Sequence, residues 1–86
     1  MNDEILRLKG QLAEYERELR RLFIAITGDK NMIRIYLPAH VVDEEITSLK
    51  TDLALEAMTR LHDHVKKAKK LEGNIKEVKT ALGCED

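Results

Sequence analysis

NMIRIYLPAHVVDEE, residues 31–45, is the stretch on which the fold turns. Long charged sequence of helical character lies on both sides of it. At its centre Ile33, Ile35 and Leu37 alternate with Met32, Arg34 and Tyr36, and Pro38 follows. β-Branched and aromatic residues at period two predict a short strand. TGDKN, residues 27–31, predicts a turn before it. The same residues also suit an extended linker whose apolar side chains cap the end of a helical core. The rest of the chain reads as helix, so a strand here has no partner of its own, and an unpaired edge is unstable and sticky. As a strand, 33–37 predicts pairing with the same strand of a second copy across a two-fold axis, or with a strand of another partner.

Toward the N-terminus, residues 3–27 predict a helix. Ile5, Leu8, Leu12, Tyr15, Leu19, Leu22 and Ile26 follow one another at alternating steps of three and four, a seven-residue repeat with apolar a and d positions. Met1 extends it by one further step of four. Such a stripe keeps facing a partner when helices wind round each other left-handedly. Leu6 and Ala13 at b, with Phe23 at e, broaden the stripe on one side. Charge pairing between g and e′ is poor: Glu4 suits Lys9, but Gln11 with Glu16 and Glu18 with Phe23 do not. The arm therefore suits a bundle of three or more helices better than an isolated two-stranded coil. Gly28 followed by Asp29 predicts a C-terminal stop.

Toward the C-terminus, Asp43, Glu44 and Glu45 place acid where a helix N-terminus favours it. A second helix is predicted over 43–72. Its stripe runs Ile46, Leu49, Leu53, Ala57, Leu61, Val65, Ala68, Leu71, Ile75, Val78, Leu82, an average step of about 3.6. Gly73 either lies within this helix or ends it. In the second case Asn74 and Glu77 form a capping box for a separate helix over 75–82. Gly83 closes the helical pattern and 83–86 is a tail.

Composition narrows the functions. Eighty-six residues make a single domain, 1–86, with only 3% aromatic and 36% charged residues. A chain of this size is short of core and usually gains stability from a disulfide, a metal or a partner. The formal net charge of -1 gives no overall attraction to nucleic acid or an anionic membrane. The one cysteine, Cys84, fits a free thiol in a reducing cytoplasm. MNDEILRLKG does not suit a signal peptide. The longest strictly apolar run, LFIAI at 22–26, is far short of the ~20 residues of a membrane span.

Candidate chemistry is sparse. His62 and His64 stand two apart, which on a helix directs them about 200° from each other and rules out one shared ion without unwinding. His64 falls within the second stripe and His62 outside it. KKAKK, residues 66–70, puts Lys66, Lys69 and Lys70 on the face away from the apolar stripe and Lys67 at its margin. This reads as a solvated face, or as a phosphate or nucleic-acid patch together with Arg60, though no aromatic residue is interleaved for base stacking. There is no Gly-rich phosphate loop, no nucleophile elbow and no plausible Cys–His pair. No catalytic residue, metal ligand or cofactor is expected, and the chain does not read as an enzyme.

IRIYLPAHVVDEEITSLKTDLALEAMTRL, residues 33–61, resembles a ribbon-helix-helix DNA-binding domain. The likeness rests on Arg34-Ile35-Tyr36-Leu37-Pro38, set beside the family's strand of the form R-I-x-x-x-L-P that leads into a helix, then on KTDLALEAM at 50–58 with Thr51 as N-cap. It implies an intertwined dimer whose ribbon reads the DNA major groove through Arg34 and Tyr36, with Met32 beside them. The leading expectation is different. It is a mainly α helical hairpin with a short extended segment in the connector, 28–40, assembling into an oligomeric bundle. The expected interface is Ile5, Leu8, Leu12, Tyr15, Leu19, Leu22 and Ile26, with Ile33, Ile35 and Leu37. The expected role is non-catalytic: oligomerisation, adaptor or scaffold. The expected partners are a second copy, as homodimer or higher, and another protein, with nucleic acid as the less favoured alternative and no membrane.

Overall fold

The computed structural model describes residues 2–39 and 43–83. Two long helices, α1 (Asn2–Tyr36) and α2 (Thr51–Ala81), pack along each other as a hairpin about 68 Å long and 20 by 14 Å across. A six-residue 3-10 helix, Asp43–Ser48, lies in the connector. Among the described residues there is no strand. Met1 as a further step of the stripe and Cys84 as a free thiol lie outside the described residues.

The expected strand is helix. α1 runs through Gly28 and on to Tyr36, eight residues beyond the predicted stop. The reason is visible in the spacing. From Ile26 the steps of three, four and three continue to Asp29, Ile33 and Tyr36, so the seven-residue repeat never ends at Gly28. Gly28 costs a helix about 1 kcal/mol relative to Ala. Continuing the helix adds the last turns of its stripe to the contact with α2, which outweighs that cost. The turn-like Thr27 is absorbed too, since its hydroxyl donates to the Phe23 carbonyl one turn back at 2.9 Å. Pro38 is the true stop. A residue before proline avoids helical backbone, so Leu37 makes the last bond, donating its N–H to the Ile33 carbonyl at 2.8 Å, and the chain bends away.

The second helix differs from expectation at both ends of its first segment. Residues 43–48 are 3-10 rather than α, and α2 begins at Thr51. Lys50 is its N-cap and makes no side-chain capping bond, while the Lys50 carbonyl accepts the Ala54 N–H at 3.0 Å. Thr51 is thus the first helical residue rather than the cap. The helix runs through 73–74 without a break. Gly73 sits on an outer position with nothing near a Cβ, so the packed residues on either side hold the helix continuous. Gly83, at φ +79, follows the last turn of α2 in the left-handed region that glycine adopts without strain, and its N–H donates to the Thr80 carbonyl at 3.0 Å.

The face of α2 turned toward α1 is Ala54, Ala57, Leu61, His64, Ala68, Leu71, Ile75, Val78 and Leu82, again alternating steps of three and four. It is a seven-residue repeat with His64 in the place that the average period gave to Val65. Among the described residues the buried apolar ones are Ala54, Ala57, Ala68, Leu71 and Val78, all on α2. Small residues on α2 receive larger ones from α1, whose own apolar stripe stays half-buried from Leu8 to Ile33. Leu53 and Ile46, expected in the stripe, are exposed at 40% and 53%.

Candidate interaction surface

One polar layer fixes how the arms align. Among the described residues Asp29 is the buried polar one, 7% exposed, at a d position of α1. His64 occupies the matching d position of α2, and its Nδ1–H donates to Asp29 Oδ2 at 2.7 Å. Arg60 Nε lies 3.5 Å from Asp29 Oδ1 on the flank of the same layer. Both oxygens of the carboxylate therefore face a donor. Moving the helices by one turn would place Asp29 against an apolar residue, with a charge left unpaired in a half-dry seam. A polar group at a seam position sets register in this way. Counting sevens from the Asp29–His64 layer brings Leu22 level with Leu71, Tyr15 with Val78, and Tyr36 with Ala57.

That register decides what the outer faces hold. In an antiparallel pair, e and b positions of both helices share one broad face, and g and c positions share the other. Two open grooves confirm the sharing. One, of about 450 Å³, has Leu19, Phe23 and Ile75 as its floor, with Arg20, Lys76 and Lys79 beside Glu16 and Glu72 on its rim. The other, of about 240 Å³, lies at the connector end and is lined by Ile33, Leu37, Thr51, Ala54, Leu55 and Met58. In both, the lining within the helices consists of a, e and b positions, so both grooves open on the same side. The face is apolar in patches: Leu6 is 64% exposed, Phe23 49%, Leu55 68% and Met58 48%. The broadening of the first stripe by Leu6, Ala13 and Phe23 thus continues on α2 and the connector.

The expected interface residues divide. Leu8, Leu12, Tyr15, Leu19, Leu22, Ile26 and Ile33 line the contact with α2 and are half-buried, while Ile5 near the open end is 43% exposed. Ile35 falls at c, on the opposite broad face, 68% exposed, and Leu37 lies past the helix end at 42%. Arg34 and Tyr36, expected side by side on a strand, point about 200° apart on α1, Arg34 outward and Tyr36 into the seam. His62 is exposed and His64 is engaged by Asp29. Among the described residues no three of His, Cys, Asp and Glu come together as a metal site, and no helix is long and apolar enough to cross a membrane. Asp29 is the residue that sequence reasoning missed. Its signal was there, since counting three and four onward from Ile26 lands on it.

Comparison with family models, with curated proteins and with solved structures finds no match to this chain.

Proposed function

We propose that this chain is a non-catalytic assembly module, an adaptor or scaffold that works by taking further helices onto its hairpin in coiled-coil fashion. The observation that carries this reading is the unfinished seam. Among the described residues no large side chain is fully buried, and on α1 only Asp29 is buried at all. Two helices alone leave a chain of this size with little core, and exposed apolar patches of this kind mark sites of association.

Copies of the chain associate as a dimer or a larger bundle, and another protein is the second kind of partner. The broad face carrying g and c positions suits the first. It presents exposed Ile35 and Leu53 near the connector end, and its helical charges come close to balance, with five cationic and six anionic side chains. Two copies can meet there without like-charge repulsion. Light scattering across the micromolar range tests the reading. A mass of two or more chains is expected, and a strictly monomeric mass overturns it.

A further inference from the structure

The face carrying e and b positions has a different character, and it calls for a different occupant. α1 contributes Lys9, Arg20, Lys30 and Arg34 against Glu16 alone. α2 adds Lys69, Lys76 and Lys79 against Glu72 alone. Seven cations and two anions on one face contrast with the net charge of -1 of the whole chain. Among the described residues none of these cations is paired with a carboxylate. Between and beside them run the two grooves, with Phe23 in one and Leu37, Leu55 and Met58 in the other.

We infer that this face binds an acidic amphipathic helix of another protein, its apolar side laid along the two grooves and its Glu or Asp side chains set against the flanking lysines and arginines. The inference rests on the adaptor reading and names the partner that it takes. Three physical points select this occupant. A second copy presenting the same face would oppose two surfaces of the same strong positive sign, which costs several kcal/mol in an interface. Nucleic acid would satisfy the cations but would leave Leu37, Leu55 and Met58 without an apolar partner, and Phe23 alone offers no run of stacking platforms. An acidic amphipathic helix satisfies both, since apolar anchors at i, i+3, i+4 and i+7 fit a groove between helices and the carboxylates complete the charge.

The test is a fluorescence-anisotropy titration of the full chain with a labelled helical peptide of about three heptads, Leu at a and d and Glu at e and g. A peptide of the same length with Lys in place of Glu, and a single-stranded oligonucleotide, are the competing probes. The acidic peptide is expected to bind at least about tenfold more tightly than either, and to weaken with added salt. Replacing exposed side chains, Lys69→Glu with Lys76→Glu, or Leu55→Gln with Met58→Gln, is expected to weaken it about tenfold or more while helicity by circular dichroism is unchanged. Equal binding of acidic and basic peptides, tighter binding of the oligonucleotide, or no binding of the acidic peptide overturns the inference. Light scattering on the same samples separates the outcomes. A self-associating chain that ignores the acidic peptide loses this inference and keeps the adaptor reading, and a monomeric chain that binds it keeps the surface and loses the self-association.

Discussion

Asp29 and His64 meet at equivalent places in two seven-residue repeats that run in opposite directions, with Nδ1 of the imidazole 2.7 Å from the carboxylate. The layer lies near the connector end of the hairpin. Its effect extends over the whole length, because one fixed layer sets the level of every other. The grooved face exists in its present form only because this register brings Phe23 near Ile75 and Ile33 near Ala54.

Removing one partner of this layer should cost more than removing both. His64→Ala leaves a buried carboxylate with only the more distant Arg60, at 3.5 Å and itself 51% exposed, and is expected to destabilise the chain by about 1–3 kcal/mol. Asp29→Leu combined with His64→Leu is expected to match the parent or exceed it by about 1–4 kcal/mol, since a packed apolar layer needs no desolvated charge. Urea unfolding of the two single variants and the double gives the cycle. The double variant should also lose the single register, seen as additional amide resonances in a nitrogen–proton correlation spectrum.

Gly28→Ala should stabilise the chain by about 0.5–1 kcal/mol, because the residue lies inside a helix and a Cβ there meets nothing within 4 Å. A glycine ending a helix in the left-handed region would show the opposite sign. Gly73→Ala should behave in the same way, for the same reason. Chemical denaturation measures both, and a loss of stability at either position would place a helix end where α1 or α2 is continuous.

Much of the hairpin is legible in the sequence. The stripe from Ile5 to Ile26 gives α1 its buried face, and Gly83 gives α2 its end. What misleads is a pair of local signals that the seam overrides. Gly28 beside Asp29 looks like a helix stop, and Ile33, Ile35 and Leu37 look like one face of a strand. Ile33 belongs to both periods, so the apolar pattern alone does not separate them. The seven-residue count decides, yet it passes through an aspartate, which is tolerable there because His64 and Arg60 meet it across the hairpin. On α2 the same confusion arises in reverse. His64 and Val65 are neighbours, and an average period selects the valine where the structure uses the histidine. The cationic grooved face is invisible until the antiparallel register is known, because its charges come from two segments distant in the chain.

Ala57, 0% exposed, sits level with Tyr36 where the last turn of α1 closes on α2. Ala57→Leu should cost about 1–3 kcal/mol by overpacking that layer. In a chain whose α1 ended at Gly28, the same substitution would add apolar area to an open surface and would be neutral or stabilising. Thermal unfolding followed by circular dichroism distinguishes the two.

Ile35→Lys with Leu53→Lys should leave the hairpin intact and lower its self-association. Both side chains are exposed, at 68% and 40%, on the broad face proposed for copies of the chain. Unchanged helicity with at least about a tenfold rise in the dimer dissociation constant, measured by sedimentation equilibrium, is the expected outcome.

The central claim is that residues 28–36 are the last turns of α1, carried through Gly28 by a seam whose polar layer is Asp29 with His64. The most direct measurement is the set of Cα and Cβ chemical shifts of residues 26–38 in the isotopically labelled full chain. Cα shifts displaced downfield from random coil without interruption through Gly28 to Tyr36, then ending at Leu37 before Pro38, are the predicted result. Upfield Cα and downfield Cβ shifts over 32–37, the signature of an extended strand, would contradict it.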